Sequence, residues 1–413
     1  MCLAAGGILA VGLIADAPAK AQPAAAPLGA DVGGLLAAGR RLSPALRAAA
    51  LDTAAASAKA EGAGRLADPT ISDSYQYYRD PGVFSGHSVM LSQHFPLWGK
   101  LSLRRQAALD DVDAARGRAR AAQDKLDEEI EVAYARYYLI TREMVINRQI
   151  SGLAGRIHAA AAARYGQGGG SQDAVIQAAS EETDARIEAV RLEGEKSAAR
   201  ARLNMLVGRS PDAPLADPVR ARPIPALVPP LAALLRRALA ANPVLSTANA
   251  AIAAAQTRSK LADKAWYPDL TVAAGPLIQT NNQPVGFAAT VGFNIPLPWG
   301  REAAGQGEAE ARLGATQQRY DAARLEIAGA LREATAKLRA ARATERLLRR
   351  EAVPQARAGF QSALADYSSG TGELVAAIAA ERHVHETEIR LLQAQLDEQV
   401  ELAIIERLIG GNL

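Results

Sequence analysis

His94-Phe95-Pro96-Leu97-Trp98-Gly99-Lys100 and Asn294-Ile295-Pro296-Leu297-Pro298-Trp299-Gly300-Arg301 are two versions of one junction, with their first prolines 200 residues apart (296 − 96). Upstream of each, apolar side chains alternate with small or polar ones. Phe287, Ala289, Val291, Phe293 and Ile295 alternate with Ala288, Thr290, Gly292 and Asn294, which predicts a strand over 287–295 with one apolar face. Residues 88–95 read the same way, with Val89, Leu91 and Phe95 on one face and Ser88, Ser92 and His94 on the other. Each strand has a partner before it. Residues 269–279 connect through Thr280-Asn281-Asn282-Gln283-Pro284, and residues 70–78 connect through Arg79-Asp80-Pro81-Gly82, both turn-rich. Proline has a fixed φ and no N–H, which suits Pro96 and Pro296 to the point where a ladder ends and a helix begins.

Downstream of each junction lies a long stretch for helix. No proline occurs from Leu97 to Ser210, and only Pro354 occurs from Trp299 to Leu413. Leu126, Ile130, Ala133, Tyr137, Ile140 and Met144 recur at 4-3-4-3-4 spacing, the seam of a helix packed on another helix. A helix from about Gly99 to Ala163 would extend ~100 Å at 1.5 Å per residue, longer than a compact domain needs. The alanine run 159–163 favours close approach of neighbouring helices. With aromatics at 4% of 413 residues, thin helical walls suit this chain better than a filled globule.

The duplication continues past the helices. Tyr165-Gly166-Gln167-Gly168 corresponds to Tyr367-Ser368-Ser369-Gly370, with the tyrosines 202 apart (367 − 165). Each half therefore reads helix, hairpin, very long helix, glycine-containing turn, helix. We divide the chain into a leader (1–21), a first repeat (22–210), a proline-rich linker (211–230) and a second repeat (231–413). The leader contains the apolar run Leu3 to Ala15 and a small-x-small site, Ala19-Lys20-Ala21, which predicts cleavage before Gln22. The single cysteine, Cys2, excludes an intramolecular disulfide framework.

No other segment reaches 18 uninterrupted apolar residues. Any membrane crossing in the mature chain must then be made by strands closed into a barrel, because an open strand in lipid leaves backbone groups unpaired. Four short strands cannot close a barrel alone, since the smallest such barrels use about eight. Three copies would supply twelve. The expected fold is mostly α with a small β part, long antiparallel helices forming an α-barrel below a twelve-stranded trimeric β-barrel.

The paired Pro-Leu-Trp-Gly and Pro-Leu-Pro-Trp-Gly junctions, the Tyr-x-x-Gly turns, the leader-like start and the ~200-residue repeat together resemble the TolC family of outer-membrane efflux channels, over roughly residues 30 to 410. The resemblance implies a homotrimer in outer-membrane lipid that extends into the periplasm. It also implies a periplasmic adaptor and an inner-membrane pump of the RND type as partners, with no enzymatic activity and no cofactor. The junctions look closest to the heavy-metal (Czc- or Cus-like) branch. By the same resemblance, Tyr165, Gly166, Gly168, Tyr367, Gly370 and Thr371 form the periplasmic tip that meets the adaptor.

The junction residues Pro96, Trp98, Gly99, Pro296, Trp299 and Gly300 have two readings. Trp98 and Trp299 sit at the membrane interface with the indole N–H kept wet, or they pack the hinge. The acidic pair that constricts the best-known relatives aligns with Ala376 and Ala379, so Asp173 or Glu373 is expected to supply the gate charge instead. Lone glycines at the turns remain consistent with turns that meet no partner.

Other chemistry is poorly supported. His383 and His385 are two apart and cannot share a helix face, and none of the five histidines has ligands at metal-binding spacing, so no metal site is expected. Gly166-Gln167-Gly168-Gly169-Gly170-Ser171 follows a helix and lacks the Lys of a phosphate loop. Forty-seven basic against 44 acidic residues give a net charge of +3, too small an excess for a nucleic-acid surface. The competing reading is a soluble coiled-coil scaffold, which gives no reason for two hairpins at a matched interval. A third, an enzyme, lacks any convergent acid, base or metal set.

Overall fold

The computed structural model describes residues 28–77, 85–279 and 284–413. The predicted leader with Cys2, the cleavage site before Gln22, Tyr78, and the turns through Arg79 to Gly82 and Thr280 to Gln283 lie outside the described residues. In chain order the first half comprises α1 (Val32–Leu42), α2 (Pro44–Ala63), β1 (Thr70–Gln76), β2 (Gly86–Phe95), α3 (Lys100–Gly166) and α4 (Gln172–Val207). The second comprises α5 (Leu231–Ala241), α6 (Pro243–Asp263), β3 (Leu270–Gln279), β4 (Gly286–Phe293), α7 (Arg301–Leu347), a π turn (Leu348–Ala352), α8 (Val353–Ser369) and α9 (Leu374–Ile409).

The helix expected before each hairpin is two helices, split where a capping residue precedes proline. Ser43 stands before Pro44 and Asn242 before Pro243. Proline tolerates the first helical position because its missing N–H has no partner there. Asn242 accepts from Val244 N at 2.8 Å and donates its amide to Leu408 O at 2.9 Å, so the break is tied to the end of α9.

The helix after the first junction runs 67 residues without interruption, ~100 Å. Its counterpart passes through Pro354 by widening into the π turn, which absorbs the lost hydrogen bond without breaking the rod. Of the predicted seam, Leu126, Ile130, Tyr137 and Ile140 are buried.

The four strands form one antiparallel sheet in the order β1-β2-β3-β4. The register pairs Ile71 with Leu91, Leu91 with Ala274 and Ala274 with Ala289. Alternation therefore places Ile71, Tyr75, Leu91, Ile278, Phe287 and Val291 on one face, all of them exposed, together with the polar Asp73, His87 and Gln93. Ser72, Ser88, Ser92, Thr271 and Thr290 lie on the other. β4 ends two residues earlier than expected because Phe293, opposite Leu270, is the last ladder pair before Pro296.

The helices form a layer. Near the sheet the packing order is α2, α3, α6, α7; farther away it is α4, α3, α9, then α7 and α8. One border of the molecule is thus β1, α2 and α4, and the other is β4, α7 and α8. Segment 211–230 crosses the layer as a belt. Tyr134 donates to Arg220 O at 2.8 Å, Tyr137 to Asp217 at 2.8 Å, and Arg222 pairs with Glu131 at 2.9 Å and with Glu406. Burial pushes the Glu131 carboxyl up to about 7 against the pull of Arg222, and Glu406 on the same guanidinium adds to the rise.

Candidate functional site

The two ends of α3 carry the predicted functional residues. At the sheet end, Trp98 has φ +61 and Gly99 φ +77, so two successive left-handed residues turn the chain from strand into helix. Trp98 takes that conformation while its indole N–H donates to Pro268 O at 2.7 Å and its ring stacks 5.4 Å from Tyr267. Beneath it, Lys100 donates to Asp269 at 2.8 Å and to Tyr267 O at 2.7 Å, and Leu97 N donates to Asp269 at 3.0 Å. Burial works to raise the Asp269 carboxyl, but the hydrogen bonds from Lys100 and Leu97 outweigh it and hold it below its usual value.

The second junction is built differently. Gly300 has φ +92, yet Trp299 is 85% exposed and Ile295 75% exposed. The two tryptophans thus differ: Trp98, half exposed, is tied to the hinge through its indole N–H, and Trp299 projects from it. Lys100 and Asp269, which hold the first junction, were not singled out from sequence. A lysine at a helix start has no distinguishing local pattern, and its partner lies 169 residues away.

At the far end the two turns come together. Gly168 has φ +76 and Gly370 φ +83, each reversing the chain after a long helix. Arg164 donates to Tyr367 O at 3.1 Å and its guanidinium lies 5.1 Å from the centre of the Tyr367 ring. A shared core of Ile157, Ala161, Ala178, Tyr367, Leu374 and Ala377 joins α3, α4, α8 and α9 there. The matched tyrosines are not equivalent: Tyr367 is buried and Tyr165 exposed. Gly166 ends α3 in open surroundings, and Thr371 N donates to Asp366 O at 3.0 Å, closing the second turn.

Asp173 lies in the first turn of α4, exposed, and accepts from Gln177 at 3.0 Å. Glu373 is the exposed residue that begins α9, without a side-chain cap bond. Eight residues on, Glu381 occupies a core position of α9, 5% exposed, with its Oε1 unpartnered among the described residues. Its desolvation, with Glu181 beside it and against the pull of Arg382, pushes its carboxyl up to about 7. Sequence reading missed Glu381; the spacing from Leu374 and Ala377 could have placed it on the packed face. Among the described residues no group of three or more metal-ligand side chains converges. No single described helix is long and apolar enough to cross a membrane.

A family model described as outer membrane efflux protein matches residues 37–209 and 234–411. No curated protein sequence matches the chain significantly. Solved structures with the same fold include a membrane protein from Pseudomonas aeruginosa (20% identity, TM-score 0.82, covering 94% of this chain and 91% of that one). The outer membrane protein VceC from Vibrio cholerae is 19% identical, with TM-score 0.77 and coverage of 92% and 96%. CusC, a transmembrane channel, is 19% identical, with TM-score 0.78 and coverage of 92% of each chain. These likenesses are nearly equal and so choose no cargo.

Proposed function

The chain belongs to the outer membrane efflux protein family, and from that premise we propose that three copies close into one tube. Its members, this protein among them, are outer-membrane channels that reach into the periplasm; they are not enzymes. The single observation that carries the trimer is the sheet: four strands with a mostly apolar face and two open edges, β1 and β4. An unpaired edge cannot stand in lipid. Joining β4 of one copy to β1 of the next uses both edges head to tail and closes at twelve strands after three steps. The helical borders agree, because α4 exposes Ile187 and Val190 on one side while α7 exposes Leu325 and Leu347 on the other. The apolar sheet face then meets lipid, and the serine- and threonine-bearing face lines the lumen.

The turns around Gly168 and Gly370 are the periplasmic mouth in this reading, offered to an adaptor that delivers cargo from an inner-membrane pump of the RND type. Ala376 and Ala379 are exposed on α9 just inside it, and Asp173 and Glu373, exposed beside the two turns, are the acidic residues we assign to the gate. Light scattering of the channel in mild detergent tests the ring: a trimer is expected, and a stable monomer would refute it.

A further inference from the structure

A groove flanks the belt segment where it passes the π turn. Its cavity of about 560 Å³ has a floor of Tyr138, Leu139, Leu392 and Leu396 from α3 and α9, and Ala221, Arg222 and Ile224 of the belt form one wall. The opposite rim is Arg346, Arg349 and Arg350, and Glu345 and Glu398 also line the cavity, so its charged lining is four arginines, with Arg222, against two glutamates. A second cavity of about 480 Å³ continues it past Pro225 toward Arg339 and Arg342. Everything that lines it comes from one chain.

Its charges are unevenly satisfied. Arg222 is engaged by Glu131 and Glu406, Arg349 by Glu345, and Arg342 lies 3.7 Å from Glu398. Arg346 and Arg350 have no ion-pair partner among the described residues. They follow Arg342 at four-residue intervals, a stack of like charges that opposes the helix carrying it. π turns recur at functional sites, and this one carries Arg350, one turn beyond Arg346 of α7, beside an apolar floor; Arg346 is also drawn toward Glu398.

We infer that the groove binds a small organic anion with an apolar body, an acyl or aryl carboxylate, whose charge sits between Arg346 and Arg350 and whose body lies on Tyr138, Leu139, Leu392 and Leu396. The guanidinium fork matches a carboxylate with two parallel hydrogen bonds. The volume lies in the range of small-ligand pockets, roughly 300 to 1,000 Å³. Tyr138 lies 38 residues along α3 from Lys100 (138 − 100), ~57 Å of helix from the membrane junction, so the site is distinct from the lipid-facing sheet and from the mouth.

Photolabelling tests it in the full-length channel in lipid nanodiscs, with decanoate carrying a diazirine and the matching diazirine decanol. Label from the carboxylate is expected in peptides containing residues 135–139 and 392–399, roughly tenfold above the alcohol, the contrast expected of a charge-assisted contact. It should be competed by plain decanoate. The double variant Arg346→Gln/Arg350→Gln should abolish most of that label while leaving lipid-derived label on the strands unchanged, which shows that the channel still folds. Equal labelling by acid and alcohol, label confined to the strands, or a double variant that labels like the parent would each overturn the assignment. Protection of the groove by an acidic peptide but not by decanoate would overturn it too.

Discussion

Lys100 and Arg301 occupy the same place in the two junctions, yet their replacement by methionine should have very different consequences. Lys100 has a side chain 6% exposed, paired with Asp269 at 12%, and it also donates to Tyr267 O. Methionine fills similar volume but leaves the Asp269 carboxylate buried with only Leu97 N and a distant His94, 3.7 Å away. Breaking a buried pair from one side costs about 3–5 kcal/mol, and we expect Lys100→Met near the lower figure because Leu97 still donates. Arg301 is exposed and has no ion pair among the described residues, so Arg301→Met should stay within about 0.5 kcal/mol. The assay is urea unfolding in detergent micelles, followed by tryptophan fluorescence, on Lys100→Met, Asp269→Asn, their double variant and Arg301→Met. A coupling of about 1–3 kcal/mol between positions 100 and 269 is expected. Additivity within about 0.5 kcal/mol, or equal losses at 100 and 301, would refute the claim that only the first junction is locked. Because the Asp269 carboxyl is held below its usual value, the stability it contributes is present at neutral pH and is lost as pH falls through its native pKa.

Four further outcomes are expected. Glu381, with its native carboxyl near 7 against an ordinary value of 4.5, binds its proton more tightly folded than unfolded, so stability should fall as pH rises from about 4.5 to 7. Glu381→Gln should flatten that slope, seen in thermal midpoints taken between pH 4.5 and 8, and an unchanged slope would count against the buried acid. Gly275→Ala would drive a Cβ to 1.8 Å from Val89 O, so β2 and β3 should part, read as loss of the trimer in native gels; a normal trimer contradicts the register. Tyr137→Phe removes the bond to Asp217, a loss of about 1 kcal/mol, and should speed protease cleavage within 211–230, whereas unchanged cleavage would separate the belt from that bond. Asp173→Ala and Glu373→Ala should alter single-channel conductance or its block by multivalent cations, and parental behaviour in both would remove them from the gate.

Much of the architecture was open to sequence reading because it rests on local rules. Strand alternation, proline avoidance in helices and glycine at reversals act within a few residues, and duplication displayed each of them twice. The family resemblance followed from the order of those signals. Local rules erred only at ends and breaks: β4 stopped at its last ladder partner, the leading helices split at Pro44 and Pro243, and Pro354 was absorbed by a π turn. In each case the outcome turned on whether a backbone group found a partner elsewhere.

The functional residues divide the same way. By itself the sequence determined that this chain is two copies of a hairpin-and-long-helix unit, with paired junctions and paired turns whose glycines must reverse the chain. Only the tertiary structure decided that the copies are unequal: Trp98 is bonded to Pro268 while Trp299 projects outward, Tyr367 is buried and Tyr165 exposed, and Lys100 is paired across 169 residues while Arg301 has no ion pair among the described residues. Repeated sequence specifies repeated local conformation, but burial and ion pairing depend on which element lies alongside, and the neighbours of α3 differ from those of α7.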